Sequence, residues 1–238
     1  MTKRKIKLPK SLINFLKFIR IAVVVFFIVS ILCVILFRFV NPPITPLMVI
    51  RTMEVKSNNE KNTINKTWVS IENISPNLVQ AIVTSEDQSF THHWGFDFNA
   101  IRKVYDMNSS NKKRGLRGAS TISQQTAKNV FLTPSRTWLR KGFEVYFTAL
   151  IELFWSKKRI MEVYLNIIEL GNGIYGVEEA SQYYFHKSAK KLTKYEAASI
   201  AAIIPNPRNW SPVKPNARVA RRTAWIFYMM DRIERVKF

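Results

Sequence analysis

The stretch "WLRKGFEVYFTALIELFW" (Trp138–Trp155) places Phe143, Phe147, Leu150, Ile151 and Phe154 on one stripe. Their three- and four-residue spacing is the period of an α-helix packed against a core. Glu144, Thr148 and Glu152 share another face at four-residue spacing. Arg140 stands four residues before Glu144, so an ion pair within the helix is the structural explanation of that acid. Working outward, the same period governs most of the chain. Ser75-Pro76 is an N-cap followed by proline at the first helical position. Leu78, Ala81, Ile82 and Ser85 follow at helical spacing, which predicts that Glu86 ends a helix. Helices are predicted over 119–131, 158–170, 176–185, 194–204 and 217–236. The one beginning at 194 follows a Thr193-x-x-Glu196 capping box. Sustained strand-type alternation and internal repeats are absent from the sequence, so the fold class is mainly α.

The N-terminus settles where this helical domain works. The first 20 residues carry seven lysines and arginines and no acid, and "IAVVVFFIVSILCVILF" (Ile21–Phe37) carries no charge at all. With Arg38 snorkelling to the interface, the apolar run extends to Val40, about 30 Å of helix, which matches a bilayer core. The exit "FRFVNPP" offers no small-residue cleavage site, so an uncleaved anchor is expected rather than a signal peptide. The positive cluster precedes the span, which keeps the N-terminus cytoplasmic. The expected layout is a basic cytoplasmic tail (1–20), a transmembrane anchor (21–40), a neck or linker (41–67) and an exported, periplasmic domain (68–238). "NPPITPLM" (Asn41–Met48) reads as a stiff neck, residues 51–67 as linker or edge structure, and "SSNKKRGLRG" (109–118) as a basic loop.

The chain of 238 residues has 37 basic and 16 acidic side chains, a formal charge of +21. A surface of this kind takes a polyanionic partner. Outside the membrane nucleic acid is excluded as that partner, and anionic headgroups or lipid-linked phosphates fit. The single cysteine, Cys33, forbids an intrachain disulfide.

Several constellations carry possible chemistry. "SEDQSFTHHWGFD" (Ser85–Asp97) joins Glu86 and Asp87 to His92, His93 and three aromatics. The histidines are adjacent, with no H-x-x-x-H or cysteine pair, so a zinc site is disfavoured. "SAKK" (Ser188–Lys191) matches the S-x-x-K nucleophile pattern, but no S-D-N or K-T-G follows, and the match is taken as chance. "RGASTISQQTAKN" (Arg117–Asn129) is polar for a helix within a domain. Ser120, Thr121, Gln124, Gln125 and Lys128 form either a solvated face or a set of donors for sugar hydroxyls, with a lysine suited to phosphate. Glu86 and Glu144 are two separated acids with Lys128 and Arg136 between them in sequence. Glycoside chemistry employs paired carboxylates. Where the leaving group is a pyrophosphate, cations matter more than a general acid, and a base has only to take the proton of the attacking hydroxyl.

These stretches, in this order, resemble the five motifs of the monofunctional biosynthetic peptidoglycan glycosyltransferases. They are "EDQSFTHHWGFD", "RGASTISQQTAKN", "RKGFEVYFTALIE", "KKRIMEVYLNIIELGNGIYGVEEASQYYFHK" and "LTKYEAASIAAIIPNPRNWSP", spanning about Val79 to Pro212. The resemblance implies a lysozyme-like α-helical domain with a small membrane-dipping jaw near residues 100–118. It implies polymerisation of lipid II onto a lipid-linked glycan chain by an inverting transfer, without transpeptidase activity. Glu86 is implied as the base on the acceptor hydroxyl, with Asp87 tuning or orienting it. Glu144 is implied as the second acid, acting at the donor pyrophosphate by orienting cations or holding a divalent metal (Mg or Mn). Lys128 and Arg136 are implied as pyrophosphate ligands. Ser120, Gln124 and Gln125 are implied as donor-side contacts, and Phe90 and His93 as supports of the first motif. Cell-wall synthesis or division proteins are further partners compatible with it. A lysozyme-like hydrolase or a non-catalytic cell-wall scaffold on the same architecture is the alternative.

Overall fold

The computed structural model describes residues 9–57, 64–110 and 120–238. The chain divides into two compact units, Met1–Val40 and Asn41–Phe238. The described part of the first is one helix, α1 (Lys10–Phe39), long and apolar enough to cross a membrane. Its length exceeds the predicted span because the basic residues from Lys10 to Arg20 continue the helix.

The second unit is mainly helical. Its helices are α2 (Pro46–Ser57), α3 (Pro76–Glu86), α4 (Phe98–Ser110), α5 (Ile122–Phe131), α6 (Trp138–Phe154), α7 (Lys157–Ile167), α8 (Val177–Phe185), α9 (Lys194–Ile203) and α10 (Ala217–Met229). A small sheet of β1 (Asn65–Lys66), β2 (Glu169–Gly171) and β3 (Ile174–Tyr175) has the order β1-β3-β2, with β1 parallel and β2 antiparallel to β3. The end of the helix expected to run to residue 170 is therefore strand: "GNG" turns the chain back as a hairpin.

Three differences from the sequence reading have local causes. The stretch after the proline neck is helix, not linker, because Thr45 caps it and Pro46 opens it. Met48 N donates to Thr45 Oγ1 (3.3 Å) and Val49 N to Thr45 O (3.1 Å). Residues 98–110 are helix as well, started by Asp97, whose Oδ1 accepts from Ala100 N at 2.8 Å. The basic loop and the jaw expected near 100–118 lie, beyond Ser110, outside the described residues. Ser75 occupies the cap position of α3, yet its hydroxyl donates to Leu192 O (3.0 Å), tying α3 to the segment before α9.

Helix α9 forms the centre of the unit. Ala197 through Ile203 are all buried, and their small side chains let α3 and α10 approach closely. On α3, Leu78 through Thr84 are buried in turn. The basic α10 packs on this pair through Val219, Thr223 and Ile226. On the other side α5 lies against α6 and α7, with the Phe131 and Phe147 rings stacked at 4.5 Å. Fully buried Asn166 on α7 pins the chain before α3. Its Oδ1 accepts from Val69 N and its Nδ2 donates to Val69 O, both at 2.8 Å.

Gly95 sits where the loop after α3 crosses α6. Its φ is +79°, and a Cβ there would lie 2.7 Å from Thr148 Cγ2 and 2.9 Å from Glu152 Cγ. Gly95→Ala should therefore cost about 2 kcal/mol in backbone strain alone. For a domain of this size that lowers the thermal midpoint by roughly 4–8 °C; an unchanged melting curve in detergent would remove this packing argument.

Candidate active site

Helix α3 ends at Glu86, and the next residue leaves helical geometry (Asp87 φ −162°, ψ 81°). That break sends the two adjacent acids in different directions. Asp87 turns inward and is buried. His93 Nε2 donates to it at 2.9 and 3.1 Å from its two oxygens, and Ile122 N at the start of α5 donates to Oδ2 at 3.0 Å. Phe90, fully buried, packs edge-on to His93 and carries the Lys157 ammonium 4.7 Å above its ring. Lys157 also pairs with Glu152 (2.7 Å), which accepts from Ser123 Oγ of α5. The aromatics and histidine of the first motif thus bind its loop to α5 and α6.

Glu86 points into a cleft of about 840 Å³ whose walls include His93, Phe96, Lys103, Ser120 and Trp225. Its carboxylate is held from three elements. Gln125 Nε2 of α5 donates to Oε2 (3.0 Å), Arg222 of α10 reaches Oε1 (2.9 Å), and Ser85 Oγ donates weakly to Oε1 (3.4 Å). Tyr164 OH, from α7, donates to Gln125 Oε1 (3.2 Å) and so fixes the amide. Burial pushes the Glu86 carboxyl above its ordinary value; the Gln125 bond, the Arg222 charge and the Ser85 bond pull it back in part, while Asp87 adds repulsion. Burial, reinforced by Glu86 and Asp87, holds the Tyr164 phenol well above its usual range, so it stays a neutral donor.

Lys128 stands one turn along α5 from Gln125 on the same side. It has no hydrogen-bond or ion-pair partner among the described residues. Burial lowers its ammonium pKa; Glu144 opposes this, Arg140 and Lys141 add to it, and Glu86 opposes it more weakly. Lys128 therefore stands in the fields of both acids. Glu144, buried on α6, is clasped by Arg140 NH1 (2.5 Å) and by Lys141 Nζ. The ion pair within the helix exists, and it joins a cluster of three cations. Arg136, exposed in the link between α5 and α6, has no partner among the described residues.

Two expected residues have other or further duties. Gln124 completes a capping box: its Oε1 accepts from Thr121 N (3.0 Å), while its own N–H donates to Thr121 Oγ1 (3.1 Å). Ser120, exposed, lies at the cleft rim just before α5. A divalent metal at Glu144 does not fit this donor set. Both carboxylate oxygens face cations, and the described residues hold no group of three or more His, Cys, Asp or Glu placed for a metal.

Sequence reasoning missed Arg222 and Tyr164. Arg222 is one of three arginines in α10, and only the α3–α10 packing singles it out. Tyr164 lies inside the fourth motif, where its burial reads as core.

Comparison with known proteins shows the family. The sequence model of a family described as Transglycosylase matches residues 52–231. A biosynthetic peptidoglycan transglycosylase of Bacteroides thetaiotaomicron is 49% identical over 223 residues, covering 94% of this chain and 89% of that protein. Proteins of the same description from Bdellovibrio bacteriovorus (53% identical; 87% of this chain, 82% of that protein) and Caulobacter vibrioides (52%; 81% of each) match similarly. With three quarters of its length under that family model and about half of the aligned residues identical to such relatives, the chain belongs to the transglycosylase family.

Proposed function

We propose that this protein polymerises lipid II into β-1,4-linked glycan, releasing polyprenyl pyrophosphate. The observation that carries the reading is Glu86, a largely covered acid on a cleft wall, oriented by Gln125 and Arg222. In this reading Glu86 accepts the proton of the acceptor's sugar hydroxyl. The hydroxyl oxygen bonds to the donor's anomeric carbon, and the bond from that carbon to the pyrophosphate oxygen breaks with inversion. Lys128 and Arg136 receive the charge that develops on the leaving group. Glu144 holds Arg140 and Lys141 beside Lys128, so its part is to order cations. Gln125 and Arg222 aim the base, Asp87 and His93 fix the turn behind it, and Ser120 contacts substrate from the rim. Gln124 acts through the α5 cap. The apolar helix α1 anchors the chain, with the N-terminus cytoplasmic and the catalytic unit periplasmic.

The full-length protein in detergent, given lipid II, should yield long glycan and leave purified sacculi intact. Release of soluble muropeptides from sacculi without glycan synthesis would establish the hydrolase alternative instead.

Glu86→Gln should abolish glycan formation, as removal of the base requires. The folded-state pKa of Glu86 is raised, so the ionised carboxylate opposes folding at pH values above its unfolded pKa. The variant should accordingly melt no lower than the parent at neutral pH. A marked drop in melting temperature would assign Glu86 a structural role.

The pH profile should be bell-shaped. Its acid limb lies above that of an ordinary carboxylate because Glu86 must be ionised, and its basic limb lies below that of an ordinary lysine because Lys128 must be charged. Gln125→Leu removes a bond that favours the carboxylate and should move the acid limb of kcat/KM upward. An acid limb left in place would break the link between Gln125 and the base. Lys128→Met should lower turnover by about 10²–10³-fold, the usual effect of losing one preorganised charge donor; full turnover would refute the pyrophosphate role.

A further inference from the structure

Helix α10 carries three exposed aromatic rings, Trp225, Phe227 and Tyr228. Two of them are occupied within the molecule. Phe227 meets Tyr195 edge-on at 6.2 Å and has the Lys194 ammonium 4.3 Å from its ring centre, and the Arg232 guanidinium stands 3.3 Å over Tyr228. Trp225 has neither a ring nor a cation partner among the described residues, and 45% of its surface is open. It is not part of the core either, which α10 reaches through Val219, Thr223 and Ile226. Its surroundings are the cleft. Among the described residues Trp225 is the one member of α10 on the wall that holds Glu86. The other phenyl rings of that wall, Phe96 and Phe98, pair with each other at 6.3 Å. The indole is therefore the free aromatic face of the site.

We propose that Trp225 is the stacking platform for the acceptor's pyranose ring, the ring whose hydroxyl gives its proton to Glu86. Position supports this first. Trp225 follows Arg222 by three residues, so the two share one flank of α10. Arg222 holds the Glu86 carboxylate at 2.9 Å, and the same flank thus carries a partner of the base and the free ring. Chemistry supports it next. A pyranose chair with equatorial substituents is amphipathic: its hydroxyls radiate from the rim and its C–H bonds point from the two faces. An aromatic ring is negative over its face and attracts those C–H bonds, and indole offers the broadest and most electron-rich face of the natural side chains. The rim hydroxyls need polar partners, and Gln88, Ser89, Asn99, Lys103 and Ser120 supply them around the cleft. Few polar groups beside an aromatic surface are the usual make-up of an orienting pocket. Stacking fixes the plane of the sugar and the polar groups fix its rotation, so together they decide which hydroxyl meets the base. The role of Trp225 rests on Glu86 being that base.

The test uses the full chain in detergent with lipid II. Trp225→Leu keeps an apolar side chain and removes the ring, while Trp225→Phe keeps a smaller ring. The leucine variant should raise KM by about tenfold, the size of one aromatic stacking contact, with kcat retained. The phenylalanine variant should recover part of that loss. An unchanged KM in Trp225→Leu would overturn the proposal. The acid limb of its pH profile should coincide with that of the parent, because Gln125 and Arg222 still hold Glu86. A displaced limb would also overturn the proposal, by showing that the indole acts through the base and not on the sugar. A second readout needs no turnover. In a Glu86→Gln background, lipid II should shift to shorter wavelength the emission that distinguishes this protein from Glu86→Gln/Trp225→Phe. Polyprenyl pyrophosphate, which lacks the sugars, should leave it in place. An equal shift with both ligands would assign the ring to lipid or phosphate, and no shift with either would leave it without a ligand; each result overturns the platform. A failed platform is distinguishable from a failed reading of the function, since the parent still makes glycan in the first case and makes none in the second.

Discussion

The buried carboxylate of Asp87 is the constraint on which the site depends. A buried charge must be hydrogen-bonded or it destabilises the fold by several kcal/mol. Asp87 meets this demand with the His93 ring and the Ile122 backbone amide. The amide stands at the N-terminus of α5, where unpaired donors and the helix dipole favour an anion. One side chain therefore fixes the end of α3, the loop that follows and the start of α5. Glu86 and Gln125, one on each side of this joint, are brought within hydrogen-bond distance as a result.

The second organising feature is the separation of two acids by one unpaired cation. If Glu86 and Lys128 formed a direct ion pair, each would satisfy the other and neither would be available to substrate. Arg222 and Gln125 already orient the base, while Arg140 and Lys141 already satisfy Glu144. Lys128 is left with no direct partner among the described residues, under the opposed influence of burial and two carboxylates. An anionic ligand is the natural completion of such an arrangement, since it would relieve the repulsion among Lys128, Arg140 and Lys141.

Much of this was legible in the chain. Helical periodicity and caps locate seven of the helices in the second unit, with Glu86 at the end of α3 and Thr193 capping α9. The pairing of Arg140 with Glu144 follows from four-residue spacing. Helix α2 was hidden by its two preceding prolines, although Thr45-Pro46 is itself a start signal. Helix α4 was hidden behind the motif that precedes it. The partners of Glu86 were out of reach for a different reason. Gln125 and Arg222 lie 39 and 136 residues away, and no local rule specifies which of several arginines on α10 faces inward. Gln124 and Gln125 look equivalent in sequence, yet one residue of helix is 100° of rotation, which makes one a cap and the other a partner of the base.

Helix α6 shows why pattern alone could not complete the picture. The apolar stripe of Phe143, Phe147 and Ile151 identifies a helix with one side in a core. The usual corollary, that its polar residues face water, fails here. The charged residues of α6 turn toward α5 and one another, and the remaining face carries only Trp, Leu, Gly, Val and Ala. In water such a face would be left without favourable contacts and would promote association. Periodicity therefore identifies the helix and the side it turns to the core, but the medium that the opposite face meets is a separate variable that the pattern does not carry.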